Sequence, residues 1–581
     1  MTWSGANWAL APDNAEARES IGEALGLEPL MARLLANRGI TTPEEAELFL
    51  NPSLDSISSP YEIPSMDKAA QRVALARQRG EKVAVYGDFD VDGLTGGAML
   101  HRFLEESGVN SQVVASRRES ESRGLTIDEV DMIKRDGAAL VITVDTGSSA
   151  VDAARRAGEL GLDMLITDHH LPSGQRPQAL VEVNPHFCAQ GAACRDLSGV
   201  GVAFKLAMAA RKVMRDDMGA GREPNLKRLM GLVAMGTVAD CSPLLGENRT
   251  LVRHGLDELS SGSGSTPGIK ALKNVCRLNG MNVTSRDISF EMAPRLNSAS
   301  RMNNVETAME LLTTIDAHRA AGLAARLDTD NKKRKKIQKL ILGQASQMAR
   351  NLPERETKVA LVLRGEEWNP GVIGIVASRL VDQWRVPVVM VSFSNGMGKG
   401  SCRSIPSFDI YAALATAGGA LEKFGGHKAA AGLYVQEERF DAFKEAFLAA
   451  AENAMGDMGH GRNLICDMEL DPSAVTEETV GRIAMLEPFG DSAEAPLFLA
   501  KGQMLAAPPE FIGEDGRSAK FTISGAGGAS QAVAFGMGDY CRGLDWQSSG
   551  VDIIYTPELN RWGARRRLQL RIVDIKESEG K

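Results

Sequence analysis

Three acidic motifs, each directly behind a short apolar run, carry the residues most able to do chemistry together. KVAVYGDFDVDG holds Asp88, Asp90 and Asp92, LVITVDTG holds Asp145, and LITDHH holds Asp168, His169 and His170. Asp240, in MGTVADCSPL, is a fourth candidate position. A single strand-end aspartate is usually a helix cap or a turn residue. Several converging on one edge would repel one another unless cations neutralised them. Carboxylate oxygens mixed with imidazole nitrogens suit Mn²⁺, with Mg²⁺ as the alternative. Two such ions about 4 Å apart can activate a water and stabilise the leaving oxygen of a phosphodiester. The Asp-x-Asp-x-Asp-Gly stretch is not a calcium loop, because the terminal Glu of the twelve-residue loop is missing after Gly93.

For these groups to meet, the apolar runs must be neighbouring strands. Val83–Tyr86, Leu140–Val144, Met164–Thr167 and Ala179–Val183 read as strands, with helices over Leu94–Glu106 and near Ser149–Leu160. Such alternation predicts an α/β fold with a parallel sheet, whose ligands bind outside the C-terminal strand ends. This unit spans 76–305. Before it, 1–75 is a helical lead-in, with Thr42 as helix cap, Pro43 in the first turn and Glu45 reaching back. After it, 306–350 reads as one long connecting helix, and its Lys332–Lys336 run as a solvated face.

A second α/β unit occupies 351–460, with strands Val359–Leu363 and Val386–Phe393, helices Val372–Trp384 and Phe408–Ala417, and a linker at Ala449–Gly461. Gly371 and Gly374 place amides at a helix start, a natural anion site. Ser401 and Arg403 offer a hydroxyl and a guanidinium to phosphate oxygens, and Gly425-Gly426-His427 sets a histidine on a tight turn. The final stretch, 461–581, has regular short strands that predict a small barrel or sandwich. Near its end Arg561, Trp562, Arg565, Arg566 and Arg567 mix positive charge with an aromatic, a pairing suited to single-stranded nucleic acid.

The chain of 581 residues exceeds a single hydrophobic core. Its hydrophobic share of 43% and charged share of 24% are those of an ordinary globular protein. The N-terminal segment lacks the basic flank and apolar core of a secretory signal, and no apolar run is long enough for a bilayer. Seven scattered cysteines form neither a zinc pattern nor a dense disulfide framework, which suits a reducing cytoplasm. The net charge of −9 decides little about nucleic acid, since binding follows local basic surface.

GDFDVDG, VDTG, DHH and GTVAD, in this order and at these separations, resemble the DHH phosphoesterase superfamily. The likeness extends to its RecJ family of bacterial single-strand exonucleases, and runs from GITTPEEAELFLNPSL to LQLRIVDIKE. The resemblance implies a DHH domain, a DHH-associated α/β domain and a C-terminal OB-like barrel. It implies that Asp90, Asp92, Asp145, His169 and Asp240 hold two metals, with Asp88 as an extra candidate. His170 would stand beside the attacking water or the scissile phosphate, and Asp168 would orient its neighbours. WNPGVIGIVASRL, GKGSCRS and FGGHKAAAGL resemble the associated domain, making Ser401, Arg403 and His427 contacts of the scissile phosphate. Arg295 and Arg301, in PRLNSASRMN, resemble the family's phosphate-contacting arginines.

The implied activity is hydrolysis of single-stranded DNA, 5′ to 3′, releasing 5′-mononucleotides in repair and recombination. The implied partners are single-stranded DNA and a single-strand-binding protein or a helicase, with no membrane; the expected state is a ring-like monomer. The chain departs from the family at Ser122-Arg123-Gly124-Leu125, where Gly-Tyr-Gly-Leu is usual, and at Ser300, Asn369 and Cys402. None of these is a proposed metal ligand. Cys402 is expected to be a buried, inert thiol rather than an oxidation-sensitive one. Two other readings stand beside the exonuclease. A phosphoesterase of small substrates would not need the C-terminal barrel, and a silent binding subunit would not keep so many carboxylates without metal.

Overall fold

The computed structural model describes residues 2–117, 124–172, 174–218, 223–262, 264–455, 463–513, 516–525, 528–546, 550–562 and 565–578. Ser122, Arg123, positions 456–461 of the expected linker, and the side chains of Arg561, Trp562, Arg565 and Arg566 lie outside the described residues.

In β1 (Lys82–Gly87), Val83 and Val85 enter one hydrophobic core while Ala84 and Tyr86 enter another. A strand apolar on both faces belongs in the middle of a covered parallel sheet. The sheet is five-stranded and parallel, in the order β2 (Ser111–Ala115), β1, β3 (Ala138–Val144), β4 (Asp163–Thr167), β5 (Val181–Val183). Helices α1 (Val91–Glu106), α2 (Gly199–Met218), α3 (Met230–Ala239) and α4 (Gly246–Ser261) belong to this unit, and α5 (Ala293–Arg301) completes it.

The expected helix over 306–350 is two helices, Val305–Thr313 and α6 (Ala317–Arg350). The break follows from Asp316, whose carboxylate caps the second helix through the amides of His318 and Arg319. The second sheet orders β9 (Lys423–His427), β10 (Ala430–Gln436), β8 (Met397–Arg403), β7 (Val388–Ser394) and β6 (Leu361–Glu366), with α7 (Pro370–Trp384) packed on it. Gly425, Gly426 and His427 thus lie in a strand, not on a tight turn. Gly426 has φ +150°, and a Cβ there would sit 2.4 Å from the Ala430 carbonyl, so the pairing itself requires glycine.

The last unit is a closed barrel. Strands β11 (Phe498–Leu505), β12 (Ser518–Gly525), β13 (Gly528–Ala534), β14 (Val551–Trp562) and β15 (Arg565–Glu577) pair in the ring β11-β14-β15-β13-β12, which returns to β11. This is the closure of an OB fold. The N-terminal segment belongs here in space: Asn7–Leu10 pairs in parallel with Asn463–Cys466. Ile21, Met31, Leu34 and Leu35 share one core with Phe498 and Tyr555. The helix Met66–Arg79 instead buries Met66, Ala69 and Val73 in the first α/β core. Among the described residues, no helix is long and apolar enough to cross a membrane.

Candidate metal centre and phosphate site

Strand register alone aligns the acids. Gly87, Val144, Thr167 and Val183 pair in one row across β1, β3, β4 and β5. The following residues, Asp88, Asp145, Asp168 and Asn184, therefore stand side by side at the C-terminal edge. The amides of the three aspartates extend the ladder to the carbonyls of Val144, Thr167 and Val183.

All of these carboxylates but Asp145 are then held by hydrogen-bond donors. Asp88 Oδ1 accepts from Ser116 Oγ at 2.7 Å. Asp90 caps α1, its Oδ1 accepting from the amides of Asp92 and Gly93 at 3.0 and 3.3 Å. The two oxygens of Asp92 accept from the first amides of α2, Gly199 at 2.7 Å and Val200 at 2.9 Å, where the helix dipole favours negative charge. Asp145 is only 2% exposed and sits at φ +61°. Gly199 lets α2 approach it, since a Cβ there would lie 2.6 Å from that of Asp145. Asp240 ends α3 and accepts from Ser242 Oγ at 2.5 Å.

His169 Nε2 lies 3.1 Å from Asp145 Oδ1, 3.9 Å from Asp92 Oδ2 and 4.0 Å from Asp240 Oδ2. Three overlapping trios result, each with ligand atoms within 4.8 Å: Asp92, His169 and Asp240; Asp88, Asp90 and Asp145; Asp145, His169 and His170. Burial first, and then mutual repulsion, raises Asp92 and Asp145 well above the usual carboxylate range. Burial, joined by the charge of Asp90, pushes Asp88 up to about 7. Burial likewise lowers His169, favouring the neutral ring that can donate a lone pair to a metal. Asp145 Oδ1 and His169 Nε2 are buried with no hydrogen-bond partner. The two face each other 3.1 Å apart with no hydrogen bond between them, and a divalent cation would take both as ligands. The donor set therefore fits a metal.

Asp168 has a different task. Burial works to raise it, but the His170 ring and the amides of Ser148 and His170 outweigh burial and hold it below the usual range. Its Oδ1 faces His170 Nδ1 at 2.8 Å. Burial works against the charged His170 ring, yet the bond and charge of Asp168, with Asp88 and Asp90, push it up to about 9. The side chain is 60% exposed, so with Nδ1 engaged its Nε2 remains to meet a substrate.

The second α/β unit assembles a cationic site at the start of α7. Asn369 caps the helix through the Gly371 amide, and Arg301 of α5 donates to the Gly371 carbonyl at 2.6 Å. Ser401 Oγ and Arg403 Nη2 lie over Gly374, 2.8 and 3.1 Å from where a Cβ would be. Pairing of His427 with Ala430, and of Ala430 with Arg403, puts His427 and Arg403 on one face of the sheet. Arg295 is not brought there. It is engaged by Glu291 and Asp328, fastening α5 to α6. Ser300 is buried, with its Oγ on the Asn297 carbonyl. Cys402 is fully buried and its thiol is pushed up to about 12 by burial, as expected of an inert sulfur.

Between the two units, a cavity of about 560 Å³ reaches from Ala239 and Cys241, beside Asp240, to α6 and α7. Its lining includes Arg301, Arg334, Lys335, Lys339 and Arg379 and no carboxylate. Phe290, 68% exposed in a π-helical turn (Ile288–Met292), lies on its wall. The Lys332–Lys336 run is thus divided: Arg334 is buried on Asn331 and Gln338, and the lysines face outward.

Three family models match the chain: the DHH family N-terminal domain over 82–237, the DHHA1 domain over 356–453 and the RecJ OB domain over 466–574. The RecJ single-stranded-DNA-specific exonuclease of Bacillus subtilis is 32% identical over 100% of this chain and 72% of its own length. The chain belongs to the RecJ family. Two solved RecJ structures from Thermus thermophilus share its fold: the Mn²⁺ complex with a TM-score of 0.82 at 28% identity, and the Mg²⁺ complex with 0.77 at 27%. They cover 99% of this chain and 80% and 78% of their own. RecJ relatives thus bind divalent metal, and the acidic cluster described above could hold one here.

Several contributors escaped the sequence. Ser116, Gly199, Val200 and Ser242 hold the acids, and Asn184 donates to the His170 carbonyl at 2.9 Å. The signal for Asn184 was its place directly after the apolar run at Val181–Val183, matching Asp88, Asp145 and Asp168.

Proposed function

We propose that this chain is a single-strand-specific exonuclease that removes 5′-mononucleotides from the 5′ end of DNA, in repair and recombination. Asp88, Asp90, Asp92, Asp145, His169 and Asp240 would hold two divalent ions, Mn²⁺ in preference to Mg²⁺. Bound there, the ions would supply an activated water and charge stabilisation on the leaving oxygen. The observation that carries this reading is the buried pair Asp145 Oδ1 and His169 Nε2, which face each other without a hydrogen bond, set among four further acids.

The chain's own residues complete the chemistry. His170, kept charged by Asp168, offers Nε2 to a phosphate oxygen. Ser401, Arg403 and Arg301, with the amides that open α7, are arranged to bind phosphate, and His427 shares the Arg403 face. The carboxylate-free cavity lined by Arg334, Lys335, Lys339 and Arg379 supports a strand path away from the acids, with Phe290 as a stacking surface. One chain supplies both walls, so a monomer suffices. A single-strand-binding protein or a helicase would present the strand.

The test is Mn²⁺-dependent digestion of one single-stranded oligonucleotide labelled at either end, beside Asp145→Ala. Immediate release of labelled mononucleotide from the 5′ end, a ladder from the 3′ label and an inert variant are expected. Binding of the strand without cleavage by the wild-type chain would replace the exonuclease with a binding subunit.

A further inference from the structure

Two of the seven cysteines meet in the first α/β core. The sulfurs of Cys188 and Cys194, both buried free thiols, lie 3.2 Å apart. Cys188 also donates to the Glu62 carbonyl at 3.7 Å, so the contact is one in which the Cys194 thiol donates to the Cys188 sulfur. A disulfide holds its sulfurs about 2.0 Å apart, so closing this pair takes a movement of roughly 1 Å.

The chain around the pair can supply that movement locally. Residues 189–193 form a largely exposed loop that turns at Gly191, φ +81°. Its base is already drawn together, because Arg195 Nη1 donates to the carbonyls of Cys188 at 2.9 Å and His186 at 3.3 Å. Past the loop the backbone is pinned before it reaches the metal centre. Asn248 of α4 donates to the Asp196 carbonyl at 2.6 Å, and Ser198 Oγ bonds Thr237 Oγ1 of α3 at 2.8 Å. Gly199 and Val200, whose amides hold Asp92, come only after these anchors. A shift at Cys188 is thus taken up by the loop and not passed to α2.

We propose that Cys188 and Cys194 form an oxidative modification site, a dithiol that hydrogen peroxide converts to an intramolecular disulfide without disturbing the metal centre. Cys188, 7% exposed at the edge of the loop, is the sulfur that peroxide reaches when the loop opens. Cys194 is fully buried, and burial together with the Cys188 contact pushes its thiol up to about 12, so it resolves rather than attacks. The Cys188 thiolate takes one peroxide oxygen and becomes a sulfenic acid, and the hydroxide released leaves as water with the thiol's proton. The Cys194 sulfur then displaces the sulfenic oxygen, which leaves as a second water as the S–S bond forms. The thiols lose both hydrogens, and the peroxide is reduced to water.

The full chain is treated with hydrogen peroxide in EDTA, quenched, denatured, alkylated with iodoacetamide and read by peptide mass spectrometry. A Cys188–Cys194 link that dithiothreitol reverses is expected. It should be absent from Cys194→Ser, where dimedone instead traps Cys188 as the sulfenic acid. Recovery of both cysteines as alkylated thiols, at a peroxide dose that oxidises exposed Cys241, overturns the site. Linkage of either one to Cys241 overturns the pairing. Should Cys194→Ser fail to fold, the wild-type link decides alone. With peroxide removed, calorimetry on the oxidised chain should give the Mn²⁺ affinity of the reduced one. A fall of about tenfold that dithiothreitol restores, and that Cys188→Ser never shows, overturns the isolation of the metal centre.

Discussion

The two sides of the proposed cleft are built on opposite plans. On the metal side Asp88, Asp92, Asp145 and Asp168 are buried or nearly so; strand register fixes Asp88, Asp145 and Asp168, and donors from other elements hold Asp88, Asp92 and Asp168. On the phosphate side Arg403 is half-buried, His427 is exposed, and the surrounding strand is rich in glycine. An ion tolerates little error in ligand position, so its cage must be formed before it arrives. A polymer that advances after every cut needs contacts that can be remade. Rigidity and access are thus assigned to different domains.

The largest expected effect separates the two sides most sharply. Asp145→Ala is expected to abolish cleavage by ~10³-fold or more in the oligonucleotide assay while strand binding persists. The same substitution removes a buried, repelled carboxylate, so the melting temperature without metal should stay the same or rise; a large fall would show that Asp145 is structural. Next comes Arg403→Ala, expected to cost about 10²-fold in kcat/KM with Mn²⁺ affinity unchanged by calorimetry. Arg403→Lys should recover only part, because an ammonium cannot reproduce the planar fork. A fall in Mn²⁺ affinity for either would break the separation of roles.

Phe290→Ala is expected to raise KM roughly tenfold, the loss of one stacked base, with kcat nearly unaffected. The smallest effect concerns Cys402. Iodoacetamide on the folded chain should modify exposed Cys241 well before Cys402, read by peptide mass spectrometry, because the Cys402 thiol is buried and raised to about 12.

The metal side was largely legible in the sequence because its determinants are local. An apolar run followed by Asp is read directly, and parallel register converts three such runs into one row. The phosphate side was less so. Met397–Arg403, Lys423–His427 and Ala430–Gln436 are strands whose glycines imitate turns, since their stability comes from one another and not from side-chain pattern. Arg295 and Arg301 could not be told apart, because only tertiary contacts with Asp328 and Gly371 distinguish them. Nor could local pattern place the N-terminal helices on a barrel whose strands come hundreds of residues later.

That last arrangement bears on how the chain is made. Residues 7–10 are synthesised long before their strand partner, Asn463–Cys466. At ~5–20 residues per second the wait is roughly twenty seconds to a minute and a half. Throughout it Ile21, Met31, Leu34 and Leu35 lack the barrel half of their core. The nascent chain therefore carries an unsheltered apolar surface while its catalytic domain is already complete, and the amino-terminal helices are where a chaperone would be needed.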